Sequence, residues 1–430
     1  ENAMGDVQEA EIRAKIAHLA ADRLGDPARA IETWKRVLDL RGEDPEALRA
    51  LANLYEAGDQ WAELCDVLER ELDIATDDAT RVEILNRRAR IFLEKLGRPE
   101  QALDDYQRAV DIDFANLTAL RAIAAIWRDR NEPNELVQAL HTLVDRAAGM
   151  LEPSELTAIY RELGKTYREV LEQPYDAAEA WTKLLEIDPR DFEAMAALEA
   201  IYLELEQWPD VVSVKMIRAD ALEDPAEKIR ELFEVAAIWR DRVEDADRGT
   251  PALEKVLAIE PANDAAFEAL EGLHRAASRW EALIELYLAR LETRETASEK
   301  AALLRNIAKV FEEELDDKGQ AFEALVNAFA EDYSDSETIR YLEKIAHASG
   351  RFAQLVQTAN EWLTNETDNQ KRIALCLRLA KWYGEDLGHP EYAQPYYAQI
   401  LQLDPNNVAV LRQMASLYRK NAQWQQMGAT

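Results

Sequence analysis

A chain of 430 residues with 51 Lys and Arg against 84 Asp and Glu carries a formal net charge of −33. Such a surface repels phosphate backbones and anionic lipid, which argues against nucleic-acid binding. No apolar run approaches the ~18 residues of a membrane span, which argues against membrane insertion, and only 14 Gly and 14 Pro suit long helices joined by short loops.

From the N-terminus, Asn2-Ala3-Met4 reads as a tag remnant, so residues 1–4 are set apart and one continuous array is expected over 5–430. Six units follow. The first, about 6–77, carries Ala17, Ala30, Trp34, Ala52, Tyr55 and Trp61 as landmarks. The second, about 78–149, repeats them as Ala89, Ala102, Tyr106, Ala124, Trp127 and Pro133. The third, about 153–224, has Gly164, Ala177, Trp181, Glu199, Tyr202 and Trp208, and the fourth, about 225–296, has Ala236, Gly249, Leu253, Glu271, His274 and Trp280. The fifth, about 297–368, has Ala308, Ala321, Leu325, Glu343, Ala346 and Phe352, and the last, about 369–430, has Ala380, Ala393, Tyr397, Ala415, Tyr418 and Trp424. The landmark series beginning at Trp34 and at Trp61 both step by 72, 75, 72, 72 and 72 residues. The three-residue excess falls in the Gly- and Pro-containing segment Ala147–Ser154.

Each unit divides again, because the small-residue columns beginning at Ala17 and Ala52 alternate at 35 and 37 residues. A repeat of this length is a helical hairpin that cannot bury its own apolar face and must stack on its neighbours. Ile229, Leu232, Phe233, Ala236, Ala237 and Trp239 follow the three- and four-residue steps of a helix. Pro189, Pro261 and Pro405 stand where helices stop. The expectation is an all-α solenoid of about 12 hairpins and 24 helices, the last incomplete.

These columns resemble the tetratricopeptide repeat. Ala89 with Phe92, Gly164 with Tyr167, Ala236 with Trp239, Ala308 with Phe311 and Ala380 with Tyr383 match its small-then-aromatic first helix. Ala30, Ala102, Ala177, Gly249, Ala321 and Ala393 match its small residue on the second. The second half-units depart from it: Glu199, Glu271 and Glu343 stand where a small residue is usual, and the exit Pro is missing. The first half-units have a helix connection one residue longer. The resemblance implies a superhelical α-α solenoid whose first helices line a concave face, and a long array of bacterial type.

Motifs for chemistry are absent. Gly164-Lys165-Thr166 superficially resembles a phosphate loop, but lacks the upstream glycine and lies within a helix pattern. His18, His141, His274, His347 and His389 are scattered over different units, which argues against a shared metal site. Cys65 and Cys376 fall at apolar helix positions and read as buried free thiols, fitting a reducing, cytoplasmic setting. The reading is therefore no enzyme, no metal and no cofactor.

On the face that the resemblance makes concave, one column reads His18, Arg90, Lys165, Ala237, Lys309 and Lys381. Four residues later it is acidic throughout: Asp22, Glu94, Glu169, Asp241, Glu313 and Glu385. Arg161 and Arg305 add charge one turn earlier, and the second half-units add Arg49, Arg121, Arg340, Lys344 and Arg412. Two readings stand side by side. The cations are intrahelical i,i+4 partners, of the Lys165–Glu169 kind, that neutralise the acidic array, or they bind a partner. Ala196, Ala200, Phe233 and Ala237 interrupt the basic series, so an apolar patch around Phe233 between basic stretches is expected. That pattern suits a protein or peptide partner, acidic with one apolar anchor.

The functional expectation is a non-catalytic protein–protein interaction scaffold binding a peptide or helix in the concave groove. The alternative is a regulatory or substrate-delivery region of a larger multidomain enzyme. The chain stops six residues after Trp424 and is read as part of a longer array, whose uncapped ends invite self-association.

Overall fold

The computed structural model describes residues 2–420, with side chains from residue 6, and contains 23 α-helices and no strand among them. The twenty-fourth expected helix, with its landmark Trp424, lies outside the described residues. The described residues form two compact bodies, divided between Ala221 and Leu222.

The N-terminal body holds α1 (Asn2–Asp22), α2 (Pro27–Arg41), α3 (Pro45–Ala57) and α4 (Trp61–Ile74), then α5 (Asp78–Glu94), α6 (Pro99–Ile112), α7 (Leu117–Arg130) and α8 (Pro133–Ala147). It ends with α9 (Pro153–Lys165), α10 (Pro174–Ile187), α11 (Phe192–Glu204) and α12 (Trp208–Ala221). The C-terminal body holds α13 (Pro225–Asp241), α14 (Thr250–Ile259), α15 (Asp264–Ala276) and α16 (Trp280–Glu292), then α17 (Ala297–Lys309), α18 (Lys318–Glu331), α19 (Ser336–Ala348) and α20 (Phe352–Asn365). It continues with α21 (Asn369–Lys381), α22 (Pro390–Leu403) and α23 (Val408–Lys420). Within each body every odd helix packs on the following even one, and that hairpin packs on the next.

The punctuation is local. Proline opens many helices, where its missing N–H costs nothing, and Asp26, Asp44, Asp77, Asn116, Asp191 and Asp335 accept from the first amides of theirs. The three-residue insertion is a single 3-10 turn, Ala148–Met150, between α8 and α9.

The longer connection in the first half-units has one repeated geometry. The amides of Leu24, Leu96, Leu171, Val243, Leu315 and Leu387 each reach back five residues, to Leu19, Ile91, Thr166, Ile238, Val310 and Trp382. In three units this widens into a π turn: Thr166–Val170, Val310–Glu314 and Trp382–Asp386. The next residue takes positive φ each time: Gly25, Gly97, Glu172, Glu244, Asp316 and Gly388. Three units thus place a side chain in a left-handed conformation that disfavours it by about 1–2 kcal/mol.

The small-residue columns set the helix spacing. Ala17, Ala89 and Ala308 are fully buried, as are Ala30, Ala102, Ala177 and Ala321 on the second helices. A β-carbon built on Gly164 would lie 2.6 Å from the indole of Trp181, and one on Gly249 would lie 3.2 Å from the Ala236 α-carbon. Where the pattern fails, a polar group is stranded. His274 occupies a column held by Tyr55, Trp127, Tyr202 and Tyr418 elsewhere; it is 5% exposed, and its Nδ1 has no partner. Burial, helped by the Arg279 charge, pushes its pKa down.

Two substitutions in one hairpin therefore have opposite signs. Gly164→Ala is expected to cost about 1–3 kcal/mol through overpacking against Trp181, and Glu172→Gly to gain about 0.5–1 kcal/mol by relieving positive φ, both read from urea midpoints. His274→Phe addresses pH. With a folded pKa below the unfolded value, His274 makes the parent lose stability as pH falls from the ordinary histidine range through the depressed folded value. The thermal-midpoint advantage of His274→Phe should grow between pH 7.5 and 5.5, and a constant difference would contradict this account.

Candidate functional site

All the candidate residues lie on the first helices of hairpins or on the π turns that close them. Arg90 and Glu94 are on α5, Arg121 on α7, Arg161 and Lys165 on α9, and Glu169 in the turn after it. In the C-terminal body Phe233 is on α13, Arg305 and Lys309 on α17, Arg340 and Lys344 on α19, Lys381 on α21 and Arg412 on α23, with Glu313 and Glu385 in π turns.

The cations divide into two groups. The first is tied to the neighbouring first helix. Arg121 makes a two-pronged pair with Glu155, at 2.7 and 2.5 Å. Arg161 bonds Asp191, the N-cap of α11, and lies 2.9 Å from Glu193, which also takes Lys165 at 2.7 Å. Arg305 repeats this two units on, bonding Asp335, the N-cap of α19, with Glu337 at 3.2 Å and the Thr338 hydroxyl at 2.9 Å. Lys344 reaches back to Glu312 at 2.8 Å, and Lys381 to Glu343 at 3.6 Å. The second group is Arg90, Lys309, Arg340 and Arg412, which are exposed and have no ion-pair partner among the described residues. Arg340 donates only to the Ser336 carbonyl, at 3.2 Å.

The i,i+4 arrangement expected within helices is corrected. Lys165 turns to Glu193 and Lys381 to Glu343, while Glu94, Glu169, Glu313 and Glu385 stand exposed without an ion pair. In three units the helix passes into a π turn just where the acidic residue sits, which rotates it off the face of its intended partner. Basic-before-acidic is also the weaker orientation along a helix.

The cross-helix pairs are electrostatically coupled. The Lys165 hydrogen bond holds Glu193 below the ordinary carboxylate range. Burial pushes Asp335 up, but bonds from the Thr338 hydroxyl and backbone amides, with the Arg305 charge, bring it below its ordinary value. Glu312 is likewise raised by burial and lowered further by Lys344 and by the Tyr341 hydroxyl, whose own pKa is pushed up by burial and by that carboxylate.

The apolar interruption is split between the bodies. Ala196 and Ala200 are exposed on α11 in the N-terminal body. Phe233 and Ala237 are half-buried on α13 in the C-terminal body.

Several polar residues escaped the sequence reading. Arg88 is buried and grips buried Asp105 through two bonds of 2.6 and 2.5 Å. The out-of-pattern acids have partners of their own: Glu199 takes Lys215 and Arg218, Glu271 takes Tyr287 and Arg275, and Glu343 takes the Trp382 indole at 2.8 Å. Their common signal is a charge in a column that is apolar or small in other units. Arg88, for instance, stands in register with Leu163, Val235, Ile307 and Leu379.

Among the described residues no group of three or more His, Cys, Asp or Glu could hold a metal ion, and no helix is long and apolar enough to cross a membrane. Cys65 and Cys376 are buried and unpaired, and burial pushes both thiols up to about 11.

Two profiles of the tetratricopeptide repeat family match the chain, over residues 47–82 and 82–116. No curated protein matches it. Among solved structures it is similar to YrrB, described as a tetratricopeptide-repeat protein with an unusual peptide-binding site, at 19% identity over 46% of this chain and 97% of that one, with a TM-score of 0.28. It is similar to the C-terminal part of a repeat protein from Cytophaga hutchinsonii, at 19% identity over 60% of this chain and 98% of that one, with a TM-score of 0.27. The third is MamA from Desulfovibrio magneticus, at 18% identity over 43% of this chain and 97% of that one, with a TM-score of 0.27.

The two groups of cations should separate in stability. Arg305, whose side chain is 17% exposed, joins two helices. Arg305→Met is expected to cost roughly 1.5–3 kcal/mol by leaving Asp335 short of a charged donor. Lys309→Met, one turn along, should stay within about 0.5 kcal/mol of the parent. Equal urea midpoints for the two variants would contradict the division.

Proposed function

We propose that this tetratricopeptide-repeat chain is a non-catalytic interaction scaffold that takes an acidic peptide or helix on the first helices of its hairpins. The observation that carries the reading is that Arg90 in the N-terminal body, and Lys309, Arg340 and Arg412 in the C-terminal body, are exposed on first helices with no ion-pair partner among the described residues, in a chain of net charge −33. A carboxylate supplied from outside would find donors there that need not be released from internal pairs. The tied cations Arg121, Arg161, Lys165, Arg305, Lys344 and Lys381 hold the face in register, and the acidic residues Glu94, Glu169, Glu313 and Glu385 border it. Phe233 is the candidate apolar anchor, since anchors of this kind contribute most of the energy of small interfaces. The buried, unpaired thiols support a reducing compartment such as the cytoplasm.

The test uses the four unpaired cations, because their reversal spares the internal pairs. The chain and an Arg90→Glu, Lys309→Glu, Arg340→Glu, Arg412→Glu variant of equal thermal midpoint serve as baits for source-cell lysate, read by mass spectrometry. A protein held by the parent and lost by the variant at moderate salt supports the reading. Retention of the same proteins by both baits moves the site off this face.

A further inference from the structure

The N-terminal body contains a cleft of about 670 Å³ between α3 and α5, floored by the C-terminal end of α4. One acceptor in its wall is unsatisfied: Oε1 of Glu71 is buried and has no hydrogen-bond partner. Burial pushes the Glu71 carboxyl above its ordinary range, against the weaker opposing charges of Arg87 and Arg49.

The repeat itself shows what this spot accepts. Glu71 stands in register with Leu143, Arg218, Arg290 and Trp362, and lines the cleft together with Ala52, which stands in register with Ala124, Glu199, Glu271 and Glu343. In the third unit the two columns hold an acid and a guanidinium, and Arg218 donates to Glu199 at 2.5 Å. In the fourth, Arg290 is almost fully buried and its guanidinium donates to the Pro261 carbonyl at 2.9 Å and to Asp264. In the second the space is closed by apolar packing, with Ala124 and Leu143 both buried. In the fifth, the Trp362 ring packs against Phe329 and Tyr333. Only in the first unit do the two columns hold an acid and an alanine, so the carboxylate is present and the group that would answer it is missing.

We infer that this cleft is a binding site for a guanidinium group, presented by an arginine side chain of a partner, which donates to Glu71 as Arg218 donates to Glu199. The charge around it agrees. Glu83 adds an exposed carboxylate, and Arg87 is already neutralised by Glu56 at 2.5 Å. The unpaired cation of the wall is Arg49, which is exposed. The lining includes none of Arg90, Lys309, Arg340 and Arg412, and the site does not depend on the reading proposed for them.

The probe is N-acetyl-arginine amide, titrated into the full chain and followed by the amide resonances of Thr76 and Thr80, with the neutral isostere N-acetyl-citrulline amide in parallel. Saturable shifts are expected for arginine, with at least tenfold weaker binding for citrulline. Glu71→Leu copies the residue at Leu143, so it should fold with a thermal midpoint at or above the parent's and lose at least tenfold in affinity. Glu71→Gln, which keeps the shape, is the second variant should Leu disturb the fold. Binding to the parent should also weaken from pH 7 to pH 4, as Glu71 takes up a proton and the charge that attracts guanidinium is lost. Absence of saturation, equal binding of citrulline, or undiminished binding by both Glu71 variants would overturn the assignment.

Discussion

At the meeting point of α9 and α10 there is no room for a single methyl group, because the Trp181 indole lies 2.6 Å from where a β-carbon on Gly164 would stand. The same close approach, relaxed to alanine, recurs along the array at Ala17, Ala89, Ala308 and Ala380, each facing the second helix of its own hairpin. Small residues on both helices bring the backbones together, and the large buried ones, Trp34, Tyr106 and Trp181 among them, fill the remaining space around them. Registry follows from this. A helix with its one small position fixed against a neighbour cannot slide or rotate without driving a side chain into backbone. The polar residues on its outer face are therefore presented at fixed intervals.

Fixed intervals give the ion pairs their form. Asp191 and Asp335 cap their own helices and also receive Arg161 and Arg305 from the preceding first helix, so one carboxylate joins the start of a repeat to the body of its predecessor. These pairs are part-buried, so removing one partner costs more than the ~0–1 kcal/mol that an exposed pair contributes. Repeated between hairpins, they also determine which cations are left over. Among the candidate cations, Arg90, Lys309, Arg340 and Arg412 are the ones left without an ion pair among the described residues. The internal repeat then serves as its own control. The column of Glu71 is occupied four other times, by apolar or cationic residues that find partners, and that comparison gives the unsatisfied carboxylate of the first unit its meaning.

The two family-profile matches, over 47–82 and 82–116, fall where the small-residue column still reads Ala52 and Ala89. Further along, Glu199, Glu271 and Glu343 replace the small residue, and each carries a polar network that a column-by-column pattern has no way to represent.

The sequence by itself determined the all-helical fold, the hairpin length and the six-fold repetition. These rest on local quantities, namely the helical period, the proline and acid caps, and the spacing of small residues. It also located the one insertion and the longer first-half connection, and it placed every candidate cation on a first helix. Which cation meets which carboxylate was decided only by the tertiary structure. Partners some 30 residues apart, as Arg161 and Asp191 are, come together because neighbouring first helices lie side by side, and the i,i+4 pairs suggested by spacing are dismantled by π turns at the helix ends. The isolation of Glu71 was equally beyond reach of the sequence, since a carboxylate is unsatisfied only with respect to every group that folding brings near it.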